Sequence, residues 1–137
     1  FVGDMPQTGM ALGATVTPID GLSVQALFNY YDKNYSDWSP NAREVASDGT
    51  ADREQVWMAP SYSKLDVHIS YDLPVGIAGT QMTAFAHIFN ALDAIYVQDA
   101  VDHSQYNSYG DKVHAAHNAE VFFGTPRYFN AGLKVNF

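Results

Sequence analysis

The amino-acid sequence predicts an all-β fold, an antiparallel up-and-down meander of about five long strands. Three observations lead there. Apolar residues alternate with small or polar ones, with a period of two, along five separate segments. The dipeptide Asp20-Gly21, a strong tight-turn signal, joins the first two of them. Short turns then alternate with polar stretches of roughly 30 residues, where hairpin loops ordinarily take about 2 to 5.

The first strand runs from Gln7 to Pro18, with Met10, Leu12, Ala14 and Val16 alternating with Ala11, Gly13, Thr15 and Thr17. After the turn, Leu22, Val24, Ala26, Phe28 and Tyr30 alternate with Ser23, Gln25, Leu27, Asn29 and Tyr31, completing a hairpin. From about Asp32 to Pro60 no period is sustained, which reads as a long loop. The third strand sets Leu65, Val67, Ile69 and Tyr71 against Lys64, Asp66, His68, Ser70 and Asp72. Leu73 to Gly79 turns the chain into a fourth strand, Thr80 to Asn90. Met82, Ala84, Ala86 and Ile88 share its apolar face, Gln81, Thr83 and His87 lie opposite, and Phe85 and Phe89 interrupt the pattern. A second polar stretch extends from about Leu92 to Thr125. Beyond Pro126, Phe129, Ala131, Leu133, Val135 and Phe137 alternate with Asn130, Gly132, Lys134 and Asn136.

Composition narrows the function. The 137 residues are 47% hydrophobic and only 16% charged, too apolar for a disordered acidic segment. Without cysteine there are no disulfides, thiolate zinc sites or thiol catalysis. Seven Lys and Arg against fifteen Asp and Glu argue against nucleic acid as a partner, because neutralising phosphates needs clustered cations. No apolar run approaches the roughly 18 residues of a membrane-spanning helix. The chain opens with Phe1 rather than Met, as expected of a piece of a longer polypeptide. Its aromatic content, nine Tyr, eight Phe and two Trp, is high for a small soluble domain.

In a meander, alternate connections lie at the same end of the sheet. Both short turns are therefore expected at one end and both long loops at the other, as in outer-membrane barrels. The apolar strand faces carry no charge, while the opposite faces carry Ser, Thr, Asn, Gln, Gly, His and Asp, with Lys64 and Lys134 the strand-borne lysines. That division suits lipid on one side and a wet lumen on the other. Tyr30, Tyr31, Tyr35, Tyr62, Phe89, Tyr128 and Phe129 gather at the long-loop ends, and Tyr71 and Phe137 mark the other rim. Two aromatic bands of this kind are expected at the two membrane interfaces.

Two motifs then point to a family. The last eight residues, Asn130-Ala131-Gly132-Leu133-Lys134-Val135-Asn136-Phe137, resemble the C-terminal assembly signal of bacterial outer-membrane barrels, with Asn130, Gly132, Val135 and Phe137 at its defined positions. Phe89-Asn90-Ala91-Leu92-Asp93-Ala94-Ile95-Tyr96 resembles the Asn-Leu-Phe-Asp-x-x-Tyr segment of TonB-dependent outer-membrane receptors, matching at Asn90, Asp93 and Tyr96 and departing at Ala91 and Leu92. Pro60 to Asp66, Tyr71 to Pro74 and Gly124 to Arg127 are similar to that family as well. The resemblance implies that residues 1–137 are the C-terminal strands of a partial barrel domain, without plug or TonB box. The whole barrel would have about 22 strands. It further implies the bacterial outer membrane as location, and energy-coupled import of a scarce nutrient such as a siderophore, cobalamin or glycan. The partners implied are membrane lipid, the barrel-assembly machinery, the rest of the barrel with its plug, and TonB through the missing part.

No residues form a convincing catalytic, cofactor or metal centre, so no enzyme activity is expected. His114 and His117 have the spacing of one helical turn, with Asp111 and Glu120 nearby, but a closed metal site needs three or four converging ligands. Asp93, Asp99 and Asp102 lack the spacing of a calcium loop and read as a solvated acidic loop. Ser104, Ser108 and His103 lie close in sequence without a nucleophile elbow or a group to orient the histidine. His68 and His87 on neighbouring strands either line a polar path or are simply wet. Trp38, Trp57, Tyr106 and Tyr109 sit among polar residues and either stack on a sugar ring or aromatic chelator, or pack loop on loop.

An alternative function is a soluble antiparallel barrel holding an apolar ligand in the manner of lipocalins. Such a barrel needs about eight strands where about five are found. A complete eight-stranded membrane barrel would need three further strands within the two long loops.

Overall fold

The computed structural model describes residues 3–39, 43, 50, 52–74, 79–104 and 113–136. The strands, in chain order, are β1 (Pro6–Ile19), β2 (Leu22–Tyr35), β3 (Met58–Ala59), β4 (Tyr62–Asp72), β5 (Gln81–Phe89), β6 (Val97–Asp102), β7 (Ala119–Phe123) and β8 (Tyr128–Asn136). The main sheet has the order β1-β2-β4-β5-β8, and the two-residue β3 pairs with the end of β2. Its long strands are the five that the alternation predicts, each next to its successor, as a meander requires.

The chain forms two compact units, Phe1–Gly9 with Tyr31–Tyr62 and Ile95–Gly124, and Met10–Tyr30 with Ser63–Ala94 and Thr125–Phe137. In the second unit the register assigns the faces. Val67, Ile69 and Tyr71 of β4 pair with Ile88, Ala86 and Ala84 of β5, while His68, Ser70 and Asp72 pair with His87, Phe85 and Thr83. Across β5 and β8, Met82, Ala84, Ala86 and Ile88 meet Val135, Leu133, Ala131 and Phe129. One face of these three strands is thus apolar throughout. Phe85 and Phe89 fall on the polar face, where Phe85 covers Gly132 and Phe89 stacks on Tyr128 with centroids 4.6 Å apart. Their break in the sequence pattern therefore has a packing cause. A Cβ on Gly132 would stand 2.6 Å from the Phe85 ring.

The short connections lie together. Gly21, at φ +80°, supplies the left-handed backbone that its turn requires. Its carbonyl accepts from the Asp72 N–H at 2.9 Å, at the C-terminal end of β4, and Leu73 N–H donates to Met82 O at 2.9 Å where β5 begins.

Burial is distributed unlike that of a soluble sandwich. The sheet's apolar face is open at its two edge strands, where Leu12 of β1 and Leu133 of β8 are each 62% exposed and Phe129 71%, and half-buried along β2, β4 and β5. Asn90 is the fully buried residue of the second unit among the described residues. Among the described residues the buried apolar ones, Val56, Ala59, Tyr96 and Ala100, all belong to the first unit.

That unit corrects the reading of the polar stretches as plain loops. β2 continues to Tyr35, past the expected start of the loop at Asp32, because Asn34 and Tyr35 pair with Ala59 and Met58. The second stretch contains a two-stranded sheet of β6 and β7. A register shift between Val97 and Asp99 breaks its alternation, so the segment shows no clean period of two.

Candidate functional site

The Asn90 motif is a clamp at the end of β5. Asn90 adopts φ +50° and Asp93 φ +54°, the left-handed region that Asn and Asp tolerate best. The Asn90 side chain accepts from Ala94 N–H at 3.0 Å and donates to Ala94 O at 2.9 Å and Thr125 O at 3.2 Å. Its own N–H donates to the Asp66 carboxylate at 2.8 Å, and Ala91 N–H to Leu65 O at 2.7 Å. Asp93 accepts from Arg127 N–H at 3.1 Å, ordering the chain before β8. In the first unit, Tyr96 is buried and stacks on Tyr62 at 4.3 Å, and Gly124 N–H donates to Tyr96 O at 2.9 Å. Gly124 touches that ring so closely that any Cβ would overlap it.

A second constellation was not visible from spacing. His114 lies between two aspartates: Nδ1 is 2.8 Å from Asp102 Oδ2 and Nε2 is 2.9 Å from Asp52 Oδ2, with its side chain 2% exposed. Ser104 Oγ donates to Asp102 Oδ2 at 3.0 Å, and Arg43 reaches Asp52 Oδ1 at 3.1 Å and Glu54 O at 2.6 Å. Both ring nitrogens of His114 thus meet carboxylates, and the Arg43 guanidinium joins the same cluster. Burial pushes the Asp52 carboxyl up. The hydrogen bond from His114, the Glu54 N–H and the charges of Arg43 and His114 outweigh it and hold the group below the usual carboxylate range.

Local structure places these groups. Asp102 ends β6 opposite Ala119 of β7. The 3-10 turn Ala116–Asn118 folds the chain back, with Asn118 Nδ2 donating to Val113 O at 2.8 Å and His103 N–H to Asn118 O at 3.0 Å. Asp37 holds the chain after β2 against β6, donating from its N–H to Ala100 O at 2.6 Å and accepting from Asp102 N–H at 2.8 Å.

Asp102 is therefore no part of a solvated acidic loop: it is buried against His114 and Ser104, because a buried carboxylate needs a partner. Asp93 is held by Arg127. The spacing of His114 and His117 brings no metal ligands together; among the described residues no three His, Asp or Glu side chains form a cation site. Ser104 sits 3.0 Å from His114 Nδ1, yet its hydroxyl proton goes to Asp102, both ring nitrogens face carboxylates, and the residue is buried. This is the geometry of a clamp.

Of the loop aromatics, Trp38 lies under the Arg43 guanidinium, 5.0 Å from ring centroid to Cζ, and helps line a recess of about 230 Å³ with Asp52, Arg53, Glu54 and Gln55. The Trp57 carbonyl accepts from Ser36 N–H at 2.9 Å, and its ring is half-buried. Tyr106 and Tyr109 lie outside the described residues. In the last strand, Asn130 pairs with His87, Gly132 with Phe85 and Val135 with Met82, and Phe137 lies outside the described residues. β8 ends the sheet, with β5 as its neighbour.

No protein-family model matches the chain, and neither a curated protein nor a solved structure matches it.

Proposed function

We propose that this chain is a section of barrel wall from a TonB-dependent receptor of the bacterial outer membrane, the C-terminal strands of a barrel of about 22. The whole protein would import a scarce nutrient with energy delivered through TonB. One observation supports the reading: β4, β5 and β8 share an unbroken apolar face, exposed along β8 at Phe129, Leu133 and Val135, and the opposite face carries His, Ser, Thr, Asn and Lys together with Phe85 and Phe89. Lipid is the solvent that such a face requires, and a lumen is the place for the other. The unit built from the two long connections suits an outward surface, and its Trp38 recess suits a small polar ligand with a flat ring face. A lipocalin-like module would instead turn its apolar face into a closed interior.

Fractionation tests the proposal. The full-length protein, expressed in a host with an outer membrane, is expected in that membrane and released only by detergent. A monodisperse, soluble, cooperatively unfolding monomer of these 137 residues would overturn it, since an open sheet with a bare apolar face aggregates in water.

A further inference from the structure

His68 and His87 stand directly opposite each other on β4 and β5. Their Nδ1 atoms are 2.8 Å apart, one ring donating and the other accepting. The ring centroids are 4.9 Å apart and the planes cross at 65°. Phe89 lies 5.5 Å from the His68 ring and Phe85 5.4 Å from the His87 ring, so aromatic packing confines the pair.

We propose that this pair is a transition-metal site in which both Nδ1 atoms bind one ion that bridges the two strands. Neutral imidazole is the commonest protein ligand for such ions. The separation decides the geometry. Two nitrogens 2.8 Å apart, each about 2.0–2.1 Å from a shared ion, subtend about 85–90° at it. That is the angle between neighbouring ligands in square-planar or tetragonal coordination, which Cu(II) and Ni(II) favour. The ion takes the place of the hydrogen bond: the donor ring gives up its Nδ1 proton and carries one on Nε2 instead, so both rings ligate as neutral imidazoles. The rings need only rotate about χ2, a broad torsion for histidine, to turn both lone pairs onto it. Among the described residues no third His, Asp or Glu converges on the pair, so the remaining positions go to water or to an oxygen of an incoming ligand. The site requires only the register of β4 and β5 and stands whether or not the strands face a membrane.

Copper titration of the full-length protein tests this. Electron paramagnetic resonance is expected to show an axial Cu(II) spectrum split by two imidazole nitrogens. The spectrum is lost in His68→Gln and in His87→Gln and kept in His103→Gln and His117→Gln. Cu(II) is also expected to raise the thermal midpoint of the unmodified protein, because only the native register pairs the two rings. Absence of a two-imidazole spectrum in the unmodified protein overturns the proposal, and so does its persistence in His87→Gln. The spectrum of the unmodified protein decides the matter even where a variant fails to fold.

Discussion

The Nε2 atom of His114 lies 2.9 Å from the Asp52 carboxylate and so joins the two long connections of the chain across 62 residues of sequence. The same ring meets Asp102 through Nδ1, at the end of β6. Because these side chains are buried, each depends on the others for its charge to be tolerated.

Removing one partner should therefore loosen the loop unit. Asp52→Asn leaves Arg43 and His114 without their shared carboxylate, and a buried pair broken in this way costs up to about 3–5 kcal/mol. The expected result is a lower denaturant midpoint together with altered Trp38 fluorescence, since the Arg43 guanidinium stacked on Trp38 loses its anchor.

Acid should act on the same clamp. Asp52 is held below its ordinary value of 3.8, so its contribution to stability is fully present above that value and is lost as pH falls through the lower folded value. Tryptophan fluorescence followed from pH 7 downward is expected to change below about pH 4. In Asp52→Asn this transition should be absent.

At the β5 end, Asn90 supplies both a left-handed backbone and three side-chain hydrogen bonds. Asn90→Gly keeps the backbone and loses the bonds, whereas Asn90→Ala loses both. Thermal unfolding should rank them wild type, Gly, then Ala, with the two variants separated by about 1–2 kcal/mol. Equal midpoints would show that the positive φ carries no cost.

Gly124 admits no side chain against the Tyr96 ring. Gly124→Ala should push that ring off Tyr62 and cost about 1–3 kcal/mol, as overpacking does. Adding Tyr96→Ala should make the second substitution far less costly than it is alone. A double-mutant cycle reads that coupling directly.

Leu133 tests the solvent of the apolar face. Leu133→Arg is expected to destabilise the folded barrel by about 2–4 kcal/mol if the residue meets the middle of a bilayer. At a water-exposed position the change would stay within about 0.5 kcal/mol. Urea unfolding in lipid vesicles distinguishes the two.

The strands were legible because alternation is a local property. Leu65, Val67, Ile69 and Tyr71 declare one face whatever lies elsewhere in the chain, and the register with Ile88, Ala86 and Ala84 follows from it. Asn90, Asp93 and Tyr96 were also recognisable as a short motif, and the fold gives each of them a hydrogen bond or a packed ring. The β6 and β7 pair was hidden by its register shift, which takes the period out of the sequence.

The clamp of His114 with Asp52 and Asp102 had no local signature. Five histidines and fifteen acidic residues allow many pairings, and only the folding back of two distant connections selects these. The face of a strand depends on its immediate neighbours along the chain, so a period of two suffices to assign it. A buried ion pair depends on which groups lose water together, and that is settled where the chain meets itself.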